Sequence, residues 1–142
     1  MSDIRVLVVD DHDLFRRGLM EVLEEEPGIK VVGEARNGQE AIDHVERLSP
    51  DVVFMDLNMP VRDGIESTAY LTQKWPDLKV LVLTVSEEAA DLYRALSVGA
   101  RGYVLKISNP REIIDALRQV HQGWVAVSPA MAPRFLSDWA AT

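Results

Sequence analysis

Five polar side chains stand where short apolar runs end. Ile4–Val9 runs into Asp10-Asp11, Val52–Met55 into Asp56, Leu78–Leu83 into Thr84, and Gly102–Leu105 into Lys106. If those runs are neighbouring strands, three carboxylates, a hydroxyl and an ammonium meet at one edge. Carboxylates about 4 Å apart repel by ~4 kcal/mol per pair at an effective dielectric near 20. Cations or shifted pKa values relieve such a cluster. A hard divalent ion, Mg²⁺ (or Mn²⁺), suits this donor set, because it favours oxygen ligands and combines one or two carboxylates with phosphate oxygens. Taken singly, each residue has a simpler role. Asp10 and Asp11 could cap a helix, Thr84 could be a strand residue, and Lys106 a solvated charge. Their shared placement is what favours a site. Zinc fits less well: the chain has no cysteine, and His12, His44 and His121 fall on separate predicted helices. Each histidine reads as a surface residue, with His12 at most flanking the acids.

The elements that must hold these residues alternate regularly. The apolar runs, with Ile29–Gly33 as the fifth, are too short for helices and suit strands buried on both faces of a parallel sheet. Between them lie five segments with helical spacing. The first carries Phe15, Leu19, Val22 and Leu23 and stops at Pro27-Gly28; the second starts near Gly38 with Ala41, Ile42, Val45 and Leu48 on one face. The third opens on Asp63 as a cap and runs through Ile65, Ala69 and Thr72. The fourth starts near Ser86 and carries Ala89, Leu92, Ala95 and Leu96 to Gly99, and the fifth opens on Asn109-Pro110 and ends at Gly123. Five β-α units with right-handed crossovers give a doubly wound α/β sheet with helices on both faces. In such sheets ligands bind beyond the carboxyl ends of the strands, where strand order reverses.

Composition narrows the function classes. The chain has 142 residues, enough for one domain, with 47% hydrophobic and 27% charged residues. Lys and Arg total 15 against 23 Asp and Glu, a net charge of −8 that disfavours gripping nucleic acid or an anionic membrane. The absence of cysteine excludes disulfides, thiolate metal sites and a thiol nucleophile. No apolar stretch approaches the ~20 residues of a membrane helix. The first apolar run is short and ends in two aspartates, unlike a signal peptide. A cytoplasmic setting is expected.

Together these residues resemble the receiver domain of bacterial two-component response regulators. The motifs that carry the resemblance are Asp10-Asp11, the run Asp56-Leu57-Asn58-Met59-Pro60 followed by Asp63-Gly64, Leu83-Thr84, and Gly99-Ala100-Arg101-Gly102-Tyr103 leading to Lys106. The last stretch is most similar to the NarL/FixJ (LuxR-type) branch. The resemblance covers residues 1–123 and implies a flavodoxin-like (βα)₅ fold with a five-stranded parallel sheet ordered 2-1-3-4-5. It implies that Asp56 accepts a phosphoryl group from a histidine kinase or a small donor. Asp11, Asp56 and the backbone carbonyl of Asn58 would hold Mg²⁺, with Asp10 acting through its waters. Lys106 would pair with phosphoryl oxygens, Thr84 would swing to the phosphate, and Tyr103 would turn inward as Thr84 moves. Such a module is a phosphoacceptor that assists its own modification, not a turnover enzyme. A homodimer that controls transcription through a helix-turn-helix domain would be the output. Residues 124–142, with Trp124, Met131, Phe135, Leu136 and Trp139, read as a tail or linker helix leading to that domain, which suggests a truncated chain.

Two positions depart from the common pattern. Ile107 replaces the proline that often follows the lysine through a cis bond, and a cis bond before Ile107 would cost ~3 kcal/mol. Val85 stands where a small residue is common and would narrow access to the phosphoryl site. Other readings fit less well. A haloacid-dehalogenase-type phosphatase needs an acid where Asn58 stands, and a flavodoxin-like cofactor binder needs a phosphate loop where Asp10-Asp11 would repel it. The alternative with most weight is a pseudo-receiver, a dimerisation module independent of phosphorylation. Ala89, Ala90, Tyr93 and Ala95 could offer a partner surface on the fourth helix.

Overall fold

The computed structural model describes residues 2–59 and 63–133. Its chain order is β1 (Ile4–Val9), α1 (Asp13–Glu24), β2 (Ile29–Ala35), α2 (Gly38–Leu48), β3 (Val52–Met55), α3 (Gly64–Lys74), β4 (Lys79–Thr84), α4 (Ala89–Ser97), β5 (Gly102–Leu105), α5 (Pro110–His121) and β6 (Ala126–Val127). All strand pairs are parallel, in the order β2-β1-β3-β4-β5-β6.

β1, β3, β4 and β5 bury both faces, so alternate residues serve two cores. Val6 and Val8 of β1 join Leu19 and Leu23 of α1 and Ile113 and Leu117 of α5. Leu7 and Val9 join Ile42 and Val45 of α2 and Leu71 of α3 on the other face. Further along that sheet Val82, Leu92, Tyr103 and Leu105 form a third cluster.

The expected order 2-1-3-4-5 holds, and β6 extends the sheet beyond five strands. Gly102 and Tyr103 of β5 pair with Ala126 and Val127, so the sheet continues past Gly123, where α5 ends in a turn at φ +96°. The tail residues Phe135, Leu136 and Trp139 lie outside the described residues; Trp124 is 66% exposed.

Four local readings differ from the sequence expectation. β4 spans Lys79–Thr84, one residue later than read, because Thr84 still pairs with Leu105 of β5. β2 continues through Glu34 to Ala35. α3 turns Ser67, Thr68 and Leu71 inward, leaving Ile65, Ala69 and Thr72 only partly buried. α4 starts at Ala89, because the Ser86 hydroxyl accepts from the Glu88 amide and bonds the Asp91 carboxylate, folding residues 86–88 into a loop ahead of the helix. Caps at Asp63 and Asn109 form as read, each side chain accepting from the amide three residues on.

Candidate functional site

The chain reverses direction across the sheet between β1 and β3: from β1 it winds to β2 on one side, then crosses to β3 on the other. Register places the acids at this reversal. Val9 is level with Met55, and the Asp56 amide donates to the Val9 carbonyl at 3.0 Å. Asp10 and Asp56 therefore leave adjacent strands side by side. Thr84 ends β4, and the Lys106 amide donates to its carbonyl at 2.8 Å, which brings the lysine to the same edge.

Asp10 and Asp56 are 3% and 4% exposed, while Asp11 is half-buried. Lys106 Nζ lies 2.6 Å from Asp10 Oδ2 and 3.6 Å from Asp56 Oδ2, over the Phe15 ring at 4.7 Å. The lysine is thus paired first with Asp10. Burial, then the Asp10 charge, push the Asp56 carboxyl up to about 6, with Lys106 working the other way. Two buried oxygens, Asp11 Oδ1 and Asp56 Oδ2, have no hydrogen-bond partner. Lys106 Nζ and the His12 ring approach them only at 3.4 Å or more. Ligand atoms of Asp10, Asp11, His12 and Asp56 all lie within 4.8 Å of one another. Unpartnered carboxylate oxygens in a mainly oxygen donor set fit a divalent cation such as Mg²⁺ or Mn²⁺.

His12 does more than flank this cluster. Its ring is 66% exposed, yet Nδ1 sits 3.1 Å from Asp10 Oδ1, 3.4 Å from Asp11 Oδ1 and 3.9 Å from Asp56 Oδ2. His12, and neither aspartate, is the N-cap of α1. His44 is half-buried, with Nδ1 enclosed and unpartnered. His121 is exposed.

Thr84 is fully buried, and its Oγ1 accepts from the Ser86 amide at 3.2 Å. Tyr103 is already inside: the ring is 0% exposed and its hydroxyl donates to the Ser86 carbonyl at 3.0 Å. Val85 is 68% exposed, and Asn58 is exposed on the loop after β3. Among the described residues no peptide bond is cis, so Lys106–Ile107 is trans. Ala95 packs wholly in the core, which removes it from the suggested partner surface on α4.

Arg16 belongs to the site although its sequence position gives only a faint signal, a charge in register with Leu19 and Leu23 on the apolar stripe of α1. Its side chain is 1% exposed and donates to the Asp10 carbonyl at 2.7 Å, to Glu34 at 2.8 Å and to Asp13 at 2.8 Å. The guanidinium thereby fixes the turn that carries the acids, and it explains a glutamate inside β2. Gly64 supports the other side of the site. A Cβ there would sit 2.1 Å from the Asp56 carbonyl oxygen, while its amide donates to the Leu57 carbonyl at 2.9 Å.

Comparison with known proteins agrees with this geometry. The family model described as the response regulator receiver domain matches residues 6–118. The transcriptional regulatory protein DegU of Brevibacillus brevis is 37% identical over 138 residues, covering 97% of this chain and 58% of its own length. The response regulator GacA of Pseudomonas viridiflava is 44% identical over 129 residues, covering 91% of this chain and 60% of its own length. The chain spans about three fifths of the length of these curated relatives. Among solved structures, a LuxR-family two-component response regulator from Aurantimonas sp. superposes with TM-score 0.94 at 34% identity, covering 98% of this chain and 99% of that one. The signal receiver domain of a response regulator named NarL from Mycobacterium tuberculosis gives 0.83 at 36% identity, covering 87% and 99%. Among the described residues no helix is long and apolar enough to cross a membrane. The chain belongs to the response-regulator receiver family, in its NarL/LuxR-type branch, and is a phosphoacceptor signalling domain with an acidic, cation-compatible site rather than a turnover enzyme.

Proposed function

We propose that Asp56 is the phosphoacceptor and that the donor in the cell is a histidine kinase. The observation that carries this is the Asp56 carboxylate itself: 4% exposed, at the sheet's reversal point, with Oδ2 unpartnered and Lys106 Nζ 3.6 Å away. A carboxyl pushed up to about 6 is ionised at neutral pH yet more basic than an ordinary aspartate, which suits a nucleophile. Its oxygen forms a bond to phosphorus as the bond from phosphorus to the donor's leaving atom breaks. With acetyl phosphate the leaving group is acetate. Asp11, Asp56 and the Asn58 carbonyl would hold Mg²⁺, with Asp10 reaching it through water; the ion would neutralise charge on the transferring group. Lys106 meets the phosphoryl oxygens from the opposite side, and in-line transfer needs little beyond that positioning and charge balance.

The Thr84 hydroxyl, now accepting from the Ser86 amide, turns to the new phosphoryl oxygens, and Tyr103 relays the loop change to the α4–β5–α5 face. Val85 sets access for small donors. The receiver unit, expected to end at Gly123, carries β6 as well, and is followed by a linker to a DNA-binding domain. The full protein works in the cytoplasm as a phosphorylation-controlled homodimer, and this acidic chain itself binds neither nucleic acid nor membrane.

The test is intact mass after incubation with acetyl phosphate or phosphoramidate and Mg²⁺, for wild type and Asp56→Asn. A gain of about 80 Da, one phosphoryl group, seen only in the wild type supports the assignment. An adduct that persists in Asp56→Asn overturns it.

A further inference from the structure

The His12 ring serves the acids rather than its own helix: Nδ1 lies 3.1 Å from Asp10 Oδ1. His12 is the N-cap of α1 but makes no side-chain capping hydrogen bond, and its backbone amide is already satisfied by Asp10 Oδ1 at 2.8 Å. At 66% exposure the ring could face solvent with both nitrogens. Instead Nδ1 faces Asp10, Asp11 and Asp56 at 3.1, 3.4 and 3.9 Å. Ligands held about 2.1 Å from one ion lie roughly 3 to 4 Å from each other, which is the spread of these separations. The buried, unpartnered Asp56 Oδ2 and Asp11 Oδ1 are the atoms that Nδ1 faces across the pocket.

We propose that His12 Nδ1 is a further protein ligand of the divalent cation in this receiver, which raises the site's affinity for imidazole-tolerant metals such as Mn²⁺ and Zn²⁺ above that of the acids alone. The inference rests on reading the acidic pocket as a cation site and adds a ligand to it. All-oxygen sites suit Mg²⁺, whereas an imidazole nitrogen raises affinity along the series from Mn²⁺ towards Cu²⁺ and Zn²⁺. Lys106 Nζ, 3.4 Å from the same nitrogen, is a pure donor, so with the ring proton on Nε2 the Nδ1 lone pair is turned into the pocket, and a bound cation would take it from Lys106.

The experiment uses the metals alone on the domain stripped with chelator. Mn²⁺ is titrated into wild type and His12→Ala, bound and free ion are separated by electron paramagnetic resonance, and nitrogen modulation is recorded on the bound ion. Competition with Mg²⁺ and Zn²⁺ then gives relative affinities. The expected result is imidazole modulation in wild type that vanishes in His12→Ala, with Zn²⁺ affinity falling about tenfold or more and Mg²⁺ affinity changing little. Mn²⁺ that binds the wild type without nitrogen modulation overturns the role of His12 and leaves the cation site standing. An unchanged Zn²⁺ to Mg²⁺ ratio in the variant does the same. No Mn²⁺ binding to the wild type overturns both. His12→Phe, which keeps the bulk of the ring, gives the same readout should the alanine variant fail to fold.

Discussion

Removing the charge of Asp56 should make the metal-free domain more stable, because the wild type holds a carboxylate against burial and two neighbouring acids. The carboxyl is raised from 3.8 to about 6 in the folded state, roughly two pH units. Each unit is about 1.4 kcal/mol, so the ionised group opposes folding by up to about 3 kcal/mol at neutral pH. The sign follows from proton binding: between those two values the folded state keeps a proton that the unfolded state has released. The contribution is therefore favourable relative to the ionised form at low pH, and it is lost as pH rises through about 6. Asp56→Asn removes this titration while Lys106 keeps Asp10 at 2.6 Å. Urea unfolding in chelator should show the variant more stable than wild type near pH 7.5, the gap closing towards pH 4 as Asp56 protonates. Near neutral pH the difference corresponds to roughly 10 °C in melting temperature for a domain of this size. Mg²⁺ should then stabilise the wild type selectively, by about 2.7 kcal/mol at a hundred times its dissociation constant, and narrow the gap. A variant equal to or weaker than wild type near pH 7.5 without metal would refute the electrostatic account of this pocket.

Gly64→Ala should destabilise by about 3 kcal/mol or more, since its Cβ would meet the Asp56 carbonyl oxygen at 2.1 Å and backbone cannot yield as a side chain does; a loss below about 1 kcal/mol in urea unfolding would contradict that close approach. Arg16→Ala should cost about 3 kcal/mol and weaken cation binding, because the Asp10 carbonyl loses its buried donor. Arg16→Lys should recover only part of both, as one ammonium cannot serve the Asp10 carbonyl, Glu34 and Asp13 in fork geometry. Val85→Ala should speed phosphorylation by acetyl phosphate and also hydrolysis of the product, both followed by intact mass; unchanged rates would dismiss Val85 as a gate.

The strands that were legible are those with a two-sided apolar run and a polar stop. Ile4–Val9, Val52–Met55 and Gly102–Leu105 are bounded on both counts, and the structure ends them at the same residues. Glu34 broke the pattern in β2, and only its ion pair with Arg16, eighteen residues away, shows why a strand carries it. On α3 the periodicity pointed to Ile65, Ala69 and Thr72, whereas packing selected the small hydroxyl residues Ser67 and Thr68, both fully buried. Hydropathy ranks those side chains as polar, so a moment-based reading rotates the helix the wrong way.

The site was legible because parallel register converts sequence position into place: residues one step beyond paired strands must be neighbours. That logic brings Asp10, Asp56, Thr84 and Lys106 together without a single side-chain coordinate. It does not say where a side chain turns once it has left the strand. The His12 ring could face solvent or acid at equal cost to the pattern, and only the loop geometry, with its amide tied to Asp10, directs it inward. Tyr103 makes the same point from inside the core. Its ring fills the cluster of Val82, Leu92, Leu105 and Met131, and its hydroxyl is held by the Ser86 carbonyl. That carbonyl is itself positioned by two further bonds, Thr84 Oγ1 to the Ser86 amide and the Ser86 hydroxyl to Asp91. The inward tyrosine thus depends on a chain of contacts running through the residue two places after Thr84. Any group that draws Thr84 Oγ1 away from Ser86 acts on the loop that seats Tyr103, so the two switch positions are coupled by bonding and not by sequence proximity.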